Sequence, residues 1–378
     1  MTSVGAGPVA TGASQREGGG RDSSVLLRLT DVRKSYANLE VLKGIDLSIA
    51  DGEFITVLGP SGSGKTTVLR LIGGFIEPTT GQILLDGRDI ARWPPYQRPF
   101  NTVFQDYALF PHLTVAENVA YGLTVRRVRR AEVRARTQQA LERVALSGFE
   151  TRYPTQLSGG QRQRVALARA IVCEPRLVLL DEPLGALDAE LRRQMQGFLK
   201  RLQRDLRTTF LFVTHDQEEA ITMADRIVVM DHGAIIQIGA PDDVYYRPNS
   251  AYVARFFGDN NLISCRVIGP EHVHTPFGPM RVDTAPLVPG TDAWLVVRPE
   301  VIGVAPGVDV DNRAALRVTE ISFAGATTEI KLVGGAEGAT VIALKLPSRS
   351  GGPRVAVGDV CEVGWAWSEC CTVTREAS

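Results

Sequence analysis

Phe54-Ile55-Thr56-Val57-Leu58-Gly59-Pro60-Ser61-Gly62-Ser63-Gly64-Lys65-Thr66-Thr67 reads as a short apolar strand, a glycine-rich turn and the first residues of a helix. Positions 59–66 satisfy the spacing G-x-x-x-x-G-K-[ST]. Glycines there let successive backbone N–H groups converge on phosphate oxygens, and a helix starting near Lys65 adds the positive end of its dipole. The stretch from Gly59 to Thr67 therefore predicts a cradle for a nucleoside triphosphate, with Lys65 reaching the β- and γ-phosphates and the Thr66 hydroxyl on Mg²⁺. A glycine-rich turn can be purely structural, but the full set of fixed positions followed by Lys-Thr favours phosphate.

Two further pieces narrow the chemistry. The apolar run Leu177-Val178-Leu179-Leu180 ends in Asp181-Glu182. A buried strand ending in two carboxylates puts Asp181 where it holds Mg²⁺, directly or through water, and leaves Glu182 to polarise an attacking water. Leu157-Ser158-Gly159-Gly160-Gln161 precedes a helical stretch from Gln161 to Cys173 and makes a second helix start suited to an anion. A single loop-bound nucleotide does not need that second site. A head-to-tail pair of chains uses it: the Ser158 segment of one copy closes over the γ-phosphate held by Lys65 of the other.

With these motifs in order, the segment from about Leu26 to Pro248 resembles the ATP-binding cassette of an ABC transporter. Gln105 in Val103-Phe104-Gln105 matches the family's Q-loop, Gly185-Ala186-Leu187-Asp188 its D-loop, and His215 in Val213-Thr214-His215-Asp216 its switch histidine. The resemblance implies that Glu182, His215 and Gln105 act in hydrolysis. It places Gln105 with Thr66 and Asp181 around Mg²⁺, and Asp188 with Ser158, Gly159, Gly160 and Gln161 at the nucleotide. Tyr36 sits where the family stacks an aromatic ring on adenine. Gly185 departs from the family's more frequent Ser. Taken alone, each residue has a plainer reading: His215 an ordinary strand-end histidine, Tyr36 a packing residue, Gln105 a polar loop residue.

The chain has 378 residues, enough for two folded units, and 44% hydrophobic residues to fill their cores. Lys plus Arg and Asp plus Glu each total 42, so the formal charge is zero and a general attraction to nucleic acid is absent. No apolar run reaches the ~18–20 residues of a membrane span, and the first residues lack a signal peptide's apolar centre, so a cytosolic protein is expected. Cys173, Cys265, Cys361, Cys370 and Cys371 form no C-x-x-C pair and read as reduced thiols. His272 and His274 share one face of a strand at metal-ligand spacing, but no further ligand follows.

The expected fold class is an α/β P-loop cassette with an inserted helical subdomain, followed by a small C-terminal β-barrel. Residues 1–24, rich in Gly, Ser, Thr and Ala, bury too little to order and read as a disordered tail. The cassette spans 25–248, with its helical subdomain at about 106–158, and 249–288 is a connector and the start of the C-terminal region. The basic run Arg126-Arg127-Val128-Arg129-Arg130 reads as a solvated helix face, with anionic headgroups as the second reading. Tyr107, Leu109, Phe110, Leu113, Val115, Val119 and Tyr121 form an apolar segment beside Gln105, part of which is expected to line a groove for a short helix of each membrane subunit.

Residues 289–378 carry β-forming segments, among them 293–300, 317–321 and 355–360, separated by Gly and Pro. The 295–300 phrase and the Val357-Gly358-Asp359 turn resemble the TOBE domain of import ATPases, which implies import. Three phrases, 101–112, 117–123 and 256–261, look most like spermidine/putrescine import ATPases. Ferric-iron, sulfate and phosphonate importers share much of this wording. The resemblance implies ATP and Mg²⁺, a homodimer of cassettes, two transmembrane permease subunits, an extracytoplasmic solute-binding protein, and a place on the cytoplasmic face of the membrane. The rival readings are a soluble mechanical ATPase, disfavoured by the single cassette without coiled-coil or zinc insertions, and a binding-only regulator, disfavoured by intact Asp181, Glu182 and His215.

Overall fold

Strands β1 (Val25–Tyr36) and β2 (Leu39–Ala50) pair antiparallel at the start of the structured chain. On β2, which begins at Leu39, Leu42, Ile45, Leu47 and Ile49 are buried. The computed structural model describes residues 25–304, 310–335, 340–348 and 355–375; the tail expected at 1–24 lies outside the described residues.

The chain then alternates strands and helices: β3 (Phe54–Leu58), α1 (Lys65–Gly73), β4 (Thr80–Leu85), β5 (Arg88–Asp89) and β6 (Phe100–Val103). Next come α2 (Val115–Val125), α3 (Arg130–Arg143), α4 (Gly159–Ile171), β7 (Leu177–Asp181), α5 (Ala189–Leu206), β8 (Thr209–Thr214) and α6 (Gln217–Met223). The unit closes with β9 (Arg226–Asp231), β10 (Ala234–Gly239), α7 (Pro241–Tyr246) and α8 (Ala251–Phe256). Strands β2-β1-β4-β5 form one sheet, and β10-β9-β3-β8-β7-β6 a second, parallel except for its β10 edge.

Both faces of the second sheet are covered, which is why its strands read as continuous apolar runs rather than alternating ones. Phe54, Val178, Leu180, Phe210 and Phe212 face a core shared with α2, α4 and α5. Ile55, Val57, Leu177, Leu179, Leu211 and Val213 face α1 and the first sheet. The register aligns Leu58 with Thr214, Asp181 with Val213 and Val103 with Leu180, so β3, β6, β7 and β8 present their carboxyl ends along one edge. In an open parallel sheet that edge is where ligands bind.

The helical segment differs from expectation in one respect. Arg126 to Arg129 make the turn between α2 and α3, not a helix face, and Arg127 takes a left-handed φ of 56°. Tyr107, Val115 and Val119 belong to the core, leaving Leu109, Phe110 and Leu113 partly covered and Tyr121 exposed. Apolar density was the signal for that surface, and density alone does not separate core from groove.

The second unit comprises β11 (Asn261–Gly269), β12 (His272–Thr275), β13 (Gly278–Arg281), β14 (Asp292–Val297), β15 (Gly303–Val304), β16 (Asn312–Ala324), β17 (Thr327–Gly334), β18 (Thr340–Pro347), β19 (Val360–Trp365) and β20 (Cys370–Thr374). These make two five-stranded antiparallel sheets, β13-β12-β11-β14-β20 and β15-β19-β16-β17-β18, packed about a common core that includes Val267, Leu295, Leu316, Leu332, Ile342 and Trp365. Residues 355–359 are a turn ahead of β19, not a strand. His272 and His274 lie exposed on β12, and no cluster of three or more metal-ligating side chains exists among the described residues.

The stretch 249–288 divides between the two units. Val253 and Phe257 pack with Leu58, Ile227 and Val229 of the first unit, while β11 pairs with β14 inside the second. The opposite face of β14, with Trp294 and Val296, meets Ala251 and Ala254 of α8. A strand covered on both faces explains the run Ala293-Trp294-Leu295-Val296-Val297. Arg298 completes the junction: its buried guanidinium donates to the carbonyls of Phe257 and Tyr245 and lies 3.5 Å from the centroid of the Tyr245 ring.

Candidate nucleotide site

The loop from Gly59 to Gly64 joins β3 to α1, as the motif predicts. Two of its glycines are obligatory for different reasons. A Cβ at Gly59 would lie 2.3 Å from the carbonyl oxygen of Met230, and Gly64, which N-caps α1, has φ of 100° and would drive a Cβ to 2.6 Å from Leu42 Cδ2. The Lys65 side chain folds back over the loop, donating to the carbonyls of Gly59 and Pro60 at 2.9 Å each. Burial pushes its ammonium below the ordinary lysine value, and the nearby Glu182 and Asp181 carboxylates oppose that shift. A cation so placed is poorly solvated and gains when phosphate oxygens replace two carbonyls.

Thr66 donates its hydroxyl to Asp181 Oδ1 at 3.2 Å, bridging the loop to the end of β7. Burial raises the Asp181 pKa, with the Thr66 hydrogen bond acting against it. One residue on, Glu182 takes a left-handed φ of 45°, a conformation that costs a non-glycine residue about 1–3 kcal/mol, while its N–H is held by the carbonyl of Val213 at 3.0 Å. The turn swings the Glu182 carboxylate toward β8, where Oε2 lies 3.4 Å from Nδ1 of the exposed His215. The loop, Asp181, Glu182 and His215 thus converge at the carboxyl edge of the sheet.

Other predicted residues stand apart. Tyr36, at the end of β1, is 48% exposed with Lys34 Nζ 5.0 Å from its ring centroid. Gln105 follows β6 and is exposed, its Nε2 4.0 Å from where a Gly185 Cβ would project. Ser158 caps α4 in a reciprocal box, its hydroxyl accepting from the Gln161 N–H and its own N–H donating to the Gln161 side chain. Gly160 leaves room for Leu191, whose side chain would stand 3.0 Å from a Cβ there, and Asp188 caps α5 by accepting from the Leu191 N–H at 2.9 Å. Among the described residues, no hydrogen bond or ion pair joins Ser158, Gln161 or Asp188 to the loop around Lys65.

Residues 42–185 match the family model described as ABC transporter, and residues 295–372 match that of the TOBE domain. The spermidine/putrescine import ATP-binding protein PotA of Marinobacter nauticus is 49% identical over 80% of this chain and 83% of its own. That of Rubrobacter xylanophilus is 43% identical over 94% and 96%. The chain belongs to the ATP-binding subunits of ABC transporters. Its cassette is similar to the solved structure of cbiO1 from Clostridium perfringens, part of the ABC transporter complex cbiONQ, with TM-score 0.55 and 30% identity over 58% of this chain and 90% of that one. A dimeric ATP-binding cassette in a post-hydrolysis state bound to ADP and Pi matches with TM-score 0.51 and 33% identity over 57% and 99%.

Two arginines of the cassette went unnoticed in the sequence. Arg169 on α4 donates to the carbonyls of Ala108 and Tyr107 at 2.6 and 2.7 Å, pinning two left-handed residues just past Gln105. Arg192 on α5 donates to Asp216 Oδ2 at 3.4 Å and to the Leu187 carbonyl at 3.2 Å, tying the segment before Asp188 to the residue after His215. The helix that Ser158 caps therefore grips the loop after Gln105, and the helix that Asp188 caps reaches the histidine turn.

Proposed function

We propose that this chain is the ATP-hydrolysing subunit of a polyamine importer, working as a homodimer that carries two nucleotides in its shared interface. The observation that carries this reading is the division of the machinery. Lys65, Thr66, Asp181, Glu182 and His215 share one sheet edge, while Ser158, Gln161 and Asp188 form a separate pair of capped helix starts that, among the described residues, make no hydrogen bond or ion pair to the loop around Lys65. A second copy, facing head to tail, supplies the missing half of each site.

Each residue then has a physical task. Backbone N–H groups of 59–64 and Lys65 hold the phosphates, and Tyr36 offers its ring to adenine. Thr66 Oγ1 and Asp181 Oδ1 are hard oxygen donors 3.2 Å apart, a pair that suits Mg²⁺, and Gln105 completes its surroundings. Held by Thr66 and Asp181, Mg²⁺ would supply positive charge against the phosphates. Glu182 orients and polarises the attacking water, and His215, beside its carboxylate, steadies the γ-phosphate.

A groove of about 450 Å³ along α2 and α3, lined by Ala116, Ala120 and Val133 together with Glu117, Arg134 and Glu150, is the surface assigned to a short helix of a permease subunit. No helix of the described residues is long and apolar enough to cross a membrane, which agrees with a peripheral subunit at its cytoplasmic face served by an extracytoplasmic solute-binding protein. Relatives named for spermidine and putrescine import support the solute class.

Complementation tests the reading. A strain lacking its polyamine uptake ATPase, supplied with this chain and its neighbouring permease genes, should regain uptake of labelled spermidine or putrescine, and the Glu182→Gln form should not restore it. Uptake of sulfate or ferric iron instead would overturn the solute class.

A further inference from the structure

We infer that the tip of the α2–α3 hairpin is a contact site for an anionic lipid surface. Arg126, Arg127, Arg129 and Arg130 are exposed there, and Arg134 follows one turn along α3 on the face of Arg130. Among the described residues none of these five forms an ion pair; the nearest acid in sequence, Glu132, is engaged by Arg136 at 2.9 Å. The chain as a whole is neutral, so this charge is concentrated locally and does not reflect composition.

The placement works against the helix that bears it. Arg129 occupies the N-cap position of α3 without a side-chain hydrogen bond, and Arg130 is the first helical residue, so two cations sit at the positive end of the dipole. A local rule broken in this way is expected where function demands it. The turn is nonetheless held: Val128 packs on the core and its N–H bonds the Leu123 carbonyl at 3.1 Å, which directs the arginines outward. Tyr121 and Val125, one turn apart on α2, are 45% and 63% exposed beside the tip.

Exposed apolar side chains alongside unpaired cations suit a surface with charge above and hydrocarbon below, rather than a nucleic acid or an acidic protein. Arg134 also lines the groove between α2 and α3, so the patch continues from the face assigned above to a membrane subunit. The inference goes beyond the transport reading and is testable without it, because it needs neither nucleotide nor permease.

The experiment is co-sedimentation of the purified full chain with vesicles of phosphatidylcholine, alone or mixed with phosphatidylglycerol. Each arginine near an anionic surface contributes about fivefold to the partition constant, so R127Q/R129Q/R130Q should bind the mixed vesicles about a hundredfold more weakly. Binding should fall as salt is raised. The charge-keeping R127K/R129K/R130K should bind like the parent, and both variants should hydrolyse ATP at the parent rate in solution, which reports that they fold. Failure to bind mixed vesicles, equal binding to phosphatidylcholine alone, or unchanged binding of the glutamine variant overturns the inference. Capture by heparin or polyglutamate-type polymers without vesicle binding overturns the lipid assignment in favour of another anion or partner.

Discussion

Glu182 Oε2 lies 3.4 Å from His215 Nδ1 across two adjacent strands, and the contact exists because Glu182 turns left-handed at the end of β7. Among the described residues no further hydrogen bond or ion pair holds either side chain, and Lys65 acts on Glu182 through its charge alone. The pair is an element positioned by its backbone turn, whereas Ser158 and Asp188 are each engaged in a helix cap.

Replacing Glu182 by Gln keeps the shape of that element and removes its charge. Hydrolysis should drop by about 10²-fold or more while nucleotide binding persists. Size-exclusion chromatography with ATP should then show an accumulated dimer. A variant that stays monomeric at saturating ATP, or turns over like the parent, would remove Glu182 from its role.

His215→Ala should also lower hydrolysis by about 10²-fold, with binding retained. Its side chain is largely exposed, so the melting temperature of the free protein should remain that of the parent. A fall in both would mean that the histidine serves the fold.

Lys65→Ala should weaken nucleotide binding about 10- to 100-fold, the loss of charged hydrogen bonds worth about 1.5–3 kcal/mol. Titration with a fluorescent nucleotide measures it. In the free protein the same change removes a buried cation, so stability should suffer less than affinity.

Asp181 carries a pH signature. The fold binds its proton more tightly than the unfolded chain does, because burial disfavours the carboxylate. Stability of the free protein therefore falls as pH rises through the interval from the unfolded to the raised folded pKa, and above it the charge is a standing cost. Asp181→Asn should match or exceed the parent in a thermal melt at neutral pH and lose this component of the pH dependence. It should at the same time lose the Mg²⁺ dependence of nucleotide binding, seen by titrating nucleotide with and without chelator.

Arg169→Ala should leave nucleotide affinity intact and loosen the segment after Gln105. Two charge-assisted hydrogen bonds to carbonyls are lost, and hydrogen exchange at Tyr107 to Phe110 should rise. Unchanged protection there would show that the loop holds itself.

The loop at 59–66, the carboxylates at 181–182 and the strands beneath them were legible because phosphate chemistry demands fixed residue types at fixed spacing. Arg169 and Arg192 were not, since each acts on backbone carbonyls or a carboxylate that only the fold brings near. The point within 249–288 at which the C-terminal unit starts was not legible for a related reason. Strands β11 to β13 carry exposed positions and are separated by Gly and Pro, and β11 joins that unit through its pairing with β14. Likewise Arg126 to Arg129 carry helix-forming residues, yet the backbone bonds of Arg127 and Val128 to Thr124 and Leu123 and the packing of Val128 make a turn there.

Helix α8 has apolar neighbours on two sides: Leu58, Ile227 and Val229 behind it, Val296 and Val373 of the β-rich unit in front. Cutting the chain anywhere between 249 and 260 would strip one of those contacts and leave an adhesive surface on whichever fragment kept the other. Truncations meant to isolate either half should therefore aggregate unless they carry the helix along with substitutions that make its bared side wettable.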